Sequence, residues 1–311
     1  MPWRCLSHGA RHDADCTRGH GRSSLTVLAA PDGSHNIGPT IGRVVAFVLL
    51  VLACAAAAYV FVQPPLAWLA VRAGHPIRVD VYAELAAALA ASAIMLRSID
   101  QRGWNAIDFA GSAARLRAMV TGFLVGGGGI GASCAVLAAA GLLRFVPSTA
   151  DASWPGAALR ITLVLLPAAL AEELICRGYL LTVVRDSVGA RIAVVTTSVM
   201  FGLLHLANPG ATAMSVAVVT LSGLMLATVR LALNSLFAAW MAHFAWNWVM
   251  AALLHASVSG IEFESPLYKA VTTGPSWLSG GTWGPEGGLV GALGLCGGLG
   301  YFYLRQRREE A

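Results

Sequence analysis

Apolar runs long enough to cross a lipid bilayer recur along this chain, and that recurrence constrains its fold more than any other feature. A spanning helix needs about 20 mostly apolar residues. Candidate segments lie near 41–62, 81–97, 117–145, 157–184, 189–207, 211–230, 234–255 and 287–304. In hydrocarbon every backbone N–H and C=O must find a partner within the protein, and for runs of this length the solution is a helix. The expected fold is therefore all-α: a polytopic membrane protein of about eight transmembrane helices. Composition agrees, with 57% hydrophobic and only 12% charged residues, against about 25% charged in soluble proteins.

The remaining segments divide the chain further. Residues 1–40 read as a flexible basic tail. They are not a signal peptide, because the first long apolar run starts late and lacks a small-residue cleavage site. Cys5, His8, His12 and Cys16 loosely resemble metal-ligand spacing, but no apolar core surrounds them and the tail reading stands. Residues 41–145 hold the N-terminal transmembrane helices. Residues 256–286 form an extracytoplasmic loop, and 287–311 the last span and a basic tail. Cys54, Cys134, Cys176 and Cys296 fall in apolar spans and imply no disulfide framework.

All 21 basic residues except Lys269 are Arg. With the abundant Ala and Gly, this suggests a GC-rich bacterial genome. Placing both termini inside puts Arg43, Arg97, Arg102, Arg115, Arg117, Arg185, Arg191, Arg230, Arg305, Arg307 and Arg308, with the tail arginines, on the cytoplasmic side. It leaves Arg72, Arg78, Arg144 and Lys269 outside. That asymmetry predicts a multi-pass protein of the plasma membrane with both termini cytoplasmic. Trp68, Trp154, Trp277 and Trp283 then fall at or beyond the outer interface. The net charge of +5 does not imply nucleic-acid binding, because no basic groove or recognition helix is readable. The run Gly126-Gly127-Gly128-Gly129 sits mid-span, with no preceding strand and no Lys-Ser/Thr. It reads as a close helix contact rather than a phosphate loop.

Three polar motifs interrupt the apolar spans of 157–255: Glu172-Glu173-x-x-x-Arg177, Phe201-x-x-x-His205 and His243-x-x-x-Asn247. Ionisable groups in hydrocarbon are expensive and mark function or pairing. Glu173 and Arg177 share a helix face, with Glu N-terminal to Arg, the favourable order for a pair. Glu172 is rotated about 100° away, so its carboxylate stays free for general-base chemistry. Glu172 and His205 each lie roughly 25 Å along antiparallel helices from the turn at Val188-Gly189, at similar depth. His243 and Asn247 share a face of the seventh span. The motifs can converge in one cavity between the fourth, fifth and seventh spans, a set sufficient for hydrolysis.

In this order and on successive spans, the three motifs resemble the CPBP family, intramembrane proteases related to the type II CAAX prenyl endopeptidase and to bacteriocin-processing or immunity proteins. The resemblance covers about 157–255, which would be the catalytic core. It implies that Glu172 activates water and His205 orients it. It also implies that His243 and Asn247 stabilise the oxyanion while Glu173 and Arg177 hold the architecture. Such enzymes have been called metalloproteases, and Glu172, His205 and His243 would be the zinc ligands of that alternative. The neutral amide of Asn247 is a poor zinc ligand and a good oxyanion donor, so no cofactor is the favoured reading. Expected partners are the lipid bilayer and a peptide or protein substrate, lipidated or not. Two other functions compete: a non-catalytic scaffold or immunity factor on the same fold, and a proton-coupled transporter using Glu172 and His205. The absence of a readable internal repeat weighs against the transporter.

Overall fold

The computed structural model describes residues 37–72, 74, 78–150 and 153–310. The expected tail ligands Cys5, His8, His12 and Cys16 lie outside them. α1 (Gly38–Phe61) leads into a short α2 (Gln63–Arg72), and α3 (Asp80–Ile94) continues as a π-helical turn over Met95–Ile99. After α4 (Leu116–Ala139) and β1 (Leu143–Pro147), α5 (Trp154–Glu173) runs through a π-helix at Leu174–Leu180 into α6 (Leu181–Val188). α7 (Ala190–Leu204), α8 (Ala213–Leu233) and α9 (Leu236–Trp248) follow, α9 extended by a π-helix at Val249–Leu254. β2 (Tyr268–Thr272), α10 (Ser276–Ser279) and α11 (Leu289–Glu310) complete the chain.

Among the described residues, six helices are long and apolar enough to cross a membrane: Gly38–Phe61, Asp80–Ile99, Leu116–Ala139, Ala190–Ala207, Ala213–Leu233 and Leu236–Leu254. The other two expected spans are helical as well, as α5 to α6 and as α11. The first contains Glu172, Glu173 and Arg177, and the second ends in a charged segment. α1 turns mainly apolar residues such as Leu49, Leu52 and Phe61 outward, as lipid contact requires.

The fold is mainly rather than wholly helical. β1 and β2 pair antiparallel, with Leu143 opposite Thr272 and Pro147 opposite Tyr268. A single span over 117–145 is therefore too long. Gly141, at φ 72°, takes the left-handed conformation that ends α4, and its N–H bonds back to Ala138 at 3.0 Å.

Two packed cores flank the site. One joins Ile130 and Leu137 of α4, Ile161 of α5, Met225 of α8, Trp246 of α9 and Leu295 of α11. The other joins Phe47 of α1, Ala88 and Ala91 of α3, and Leu174, Tyr179 and Leu180 of the first long π-helix. The glycine run works as a close contact: a Cβ at Gly122 or Gly126 would lie 2.1 Å or 2.0 Å from the Ala238 or Ala242 carbonyl oxygen. α4 thus touches the backbone of α9.

The bundle has two distinct ends. At one, Thr40 bonds Ser187 at 2.5 Å, Arg43 pairs with Asp100 at 3.2 Å and Arg102 with Asp186 at 2.7 Å. At the other lie the β1–β2 sheet and the 255–288 loop. Here Arg160 of α5 holds Glu264 through Nε at 2.8 Å and Nη2 at 2.6 Å, and Asn208 donates to the Ser259 carbonyl at 3.1 Å.

Two sequence-based expectations need correction here. Arg230 is not a cytoplasmic marker but is fully buried. Its guanidinium donates to the Arg177 carbonyl, to Thr182 Oγ1 at 2.8 Å, and pairs with Asp108 at 3.2 Å. A buried guanidinium persists where acceptors surround it, and the π-helix supplies one of them. Trp283 is also fully buried, so only Trp68, Trp154 and Trp277 of the four tryptophans are exposed enough to meet an interface.

Candidate active site

The fourth helical stretch builds the first wall. Ser153 caps α5 by accepting from the Gly156 N–H at 3.4 Å, and Pro155 occupies its first turn, where no N–H is needed. Pro167 then interrupts the ladder, since it lacks the N–H that would bond the Leu163 carbonyl. The Tyr82 hydroxyl fills that role, donating to Leu163 O at 2.8 Å. The helix changes to π geometry at Leu174, immediately after the two acids. π segments are rare and recur at functional sites.

Glu173 and Arg177 behave as their spacing predicts. Arg177 Nη1 donates to Glu173 Oε1 at 2.9 Å, and both side chains are fully buried. The Arg177 guanidinium also lies 4.0 Å above the Phe201 ring centroid, a cation–π contact inside the protein. Phe201 packs beside His205, as expected, with ring centroids 4.7 Å apart, and reaches His243 at 5.8 Å.

Sequence reasoning missed a second bond of Glu173. Its Oε1 also accepts from His243 Nδ1 at 3.0 Å. A carboxylate accepts and cannot donate when ionised, so Nδ1 carries the proton. His243 Nε2 is then the nitrogen that faces Glu172, whose Oε2 is 3.9 Å away. His205 is fixed in the same way: its Nδ1 donates to the Phe201 carbonyl at 2.8 Å. In a neutral ring that leaves Nε2 as an acceptor for water.

Glu172, His205, His243 and Asn247 all line one cavity of about 320 Å³. Apolar side chains make much of its wall, among them Val164, Ile175 and Phe263, while Arg78, Glu84, Asn208 and Ser259 add polar groups. Glu172 Oε2 has no hydrogen-bond partner among the described residues. The structure thus brings together all four residues expected to do chemistry, with the two expected to support them directly behind His243.

Glu286 escaped the sequence reading. It is buried and accepts from Trp246 Nε1 at 2.7 Å, from the Ser259 N–H at 2.6 Å and from Ser259 Oγ at 2.8 Å. It therefore ties the neighbour of Asn247 to the loop that walls the cavity. The one signal for it was a buried indole N–H, which needs an acceptor; nothing in the sequence named that acceptor.

Among the described residues, no group of three His, Cys, Asp or Glu side chains could hold a metal ion. Glu172, His205 and His243, the ligands of the zinc alternative, line one cavity.

Residues 154–249 match the family model described as Rce1-like, type II CAAX prenyl endopeptidase Rce1-like. The match runs from the start of α5 to just past α9, encloses all three motifs, and bears out the resemblance read from them. It covers about a third of the chain and leaves α1 to α4 and the Glu286 loop outside. No curated protein and no solved structure matches the chain.

Proposed function

We propose that this protein is an intramembrane endopeptidase that hydrolyses a peptide bond of a membrane-associated substrate, with Glu172 as the base that activates water. The observation that carries this reading is the division of labour between adjacent acids. Glu173 is neutralised by Arg177 and hydrogen-bonded to His243, whereas Glu172 faces the cavity with an oxygen unpartnered. The match of 154–249 to a protease family supports the same conclusion.

In this mechanism water lies between Glu172 and His205 Nε2. Glu172 takes its proton as the oxygen adds to the scissile carbonyl. The oxyanion forms beside Asn247, whose amide donates, and beside His243, whose Nε2 donates when the ring is protonated. Donors preset towards developing charge stabilise the transition state more than the ground state. When the intermediate collapses the C–N bond breaks, and the proton held by Glu172 passes to the leaving amine. No step is routed through a metal.

The test is cleavage of a panel of membrane-spanning peptides by purified protein in detergent. Wild type should cut at least one, and Glu172→Gln, which keeps size but removes the base, should cut none while eluting as a folded species. Undiminished cleavage by the variant would sink the assignment.

A further inference from the structure

We propose that the site works on the extracytoplasmic side of the membrane, on an exported peptide or an outward-facing juxtamembrane segment. Its substrate would not be a cytoplasmic chain end. The substrate class rests on the hydrolase reading above; the side does not.

The argument starts from where the cavity lies along the bundle. Part of its wall comes from one end: Arg78 before α3, Asn208 after α7, and Ser259, Ile261 and Phe263 of the 255–288 loop. The ends of the described chain lie at the other end. Thr40 near the start of α1 touches Ser187 beside the α6–α7 turn, and α11 begins at the loop and runs away from it to Glu310. The mouth and the chain ends are therefore on opposite sides, whichever way the bundle is inserted.

Charge then fixes the insertion. The end that holds Thr40 and Ser187 carries Arg97, Arg102, Arg115, Arg117, Arg185 and Arg191 close to helix ends. At the cavity end the basic residues are fewer, namely Arg72, Arg78, Arg144, Arg160 and Lys269. The excess of arginine in short loops marks the cytoplasmic face. Removing buried Arg230 from the count leaves that excess intact. The cavity end is thus outside. Arg78, whose side chain is 51% exposed while it lines the cavity, puts the mouth at the water or headgroup level rather than in hydrocarbon.

Cysteine labelling tests the side without using activity. Glu262 lies on the loop beside the mouth, and Arg191 lies at the opposite end, both exposed. Glu262→Cys and Arg191→Cys are expressed in the full chain and treated with a membrane-impermeant maleimide, with wild type as the background. Glu262→Cys should label in intact cells, and Arg191→Cys only after permeabilisation. Labelling after denaturation verifies that each thiol is present and reactive. The reverse pattern would overturn the proposal even if detergent-solubilised protein cleaves peptide. Conversely, loss of cleavage in detergent with the expected labelling would remove the hydrolase reading and leave the orientation standing. In right-side-out vesicles, externally added peptide that wild type cuts in detergent should also be cut, and Glu172→Gln should leave it intact. Cleavage confined to inside-out vesicles would overturn the proposal.

Discussion

At the residue scale, Glu173 separates two roles that the sequence had merged. It neutralises Arg177 and also holds the proton on His243 Nδ1, as the aspartate of a Ser-His-Asp triad does for its histidine. Arg177→Ala should strand a buried carboxylate and destabilise the fold by roughly 3–5 kcal/mol, read as a lower melting temperature in detergent. Glu173→Gln keeps an acceptor for both partners. It leaves the buried Arg177 charge without its counter-ion and should also melt lower, but it should lose more turnover than Arg177→Ala, by up to about 10⁴ if its part resembles that of a triad aspartate. Equal melting and equal turnover losses in both variants would reduce Glu173 to a structural ion. A separate prediction distinguishes an oxyanion donor from a metal site. Asn247→Ala should lower turnover by about 10²–10³, and elemental analysis of active wild type should find no stoichiometric transition metal. One zinc per chain, lost with activity in His205→Ala or His243→Ala, would move the assignment to a metalloprotease. The motif residues were legible because their pairings are local: four-residue spacing puts Glu173 with Arg177 and Phe201 with His205 on common faces. Glu286 was not, because its partners Trp246 and Ser259 lie 40 and 27 residues away and no short-range pattern links them.

At the element scale, π geometry is what periodicity did not reveal. An apolar run reads alike in α and π form, yet one π-helix begins right after Glu173 and another soon after Asn247. Both distort helices that carry site residues, and the first offers the Arg177 carbonyl to Arg230. The glycine run was legible, since small residues at mid-span have few uses other than close packing. It supports a sharp test. A methyl at Gly126 would meet the Ala242 carbonyl oxygen at 2.0 Å, whereas nothing lies within 4 Å of one at Gly128. Gly126→Ala must push α9 away just before His243. It should cost about 1–3 kcal/mol, as overpacking does, and reduce turnover beyond what that instability explains. Gly128→Ala should match wild type in both. If the two variants behave alike, α4 does not set the position of His243.

For the whole molecule the open count is that of membrane crossings, because only six helices meet both length and hydropathy among the described residues. Connectivity argues for eight. α4 ends at Ala139, beside the sheet of β1 with β2, and α7 starts at Ala190, next to the Ser187–Thr40 contact at the other end. Between them the chain passes from one end of the bundle to the other, and α5 through α6 is the stretch that does so. A span here is compatible with its charges, because Glu173 and Arg177 neutralise each other while Glu172 faces the cavity. α11 makes the same passage from the loop back, ending in Arg307 and Arg308, which suit a cytoplasmic end. Reporter fusions read this directly. A cytoplasm-active reporter joined after Gly189 should be active, one joined after Ser148 or Ile261 inactive, and one after Glu310 active again. A reporter after Gly189 on the same side as one after Ser148 would mean that the α5–α6 stretch does not cross. The site would then lose the depth that aligns Glu172 with His205.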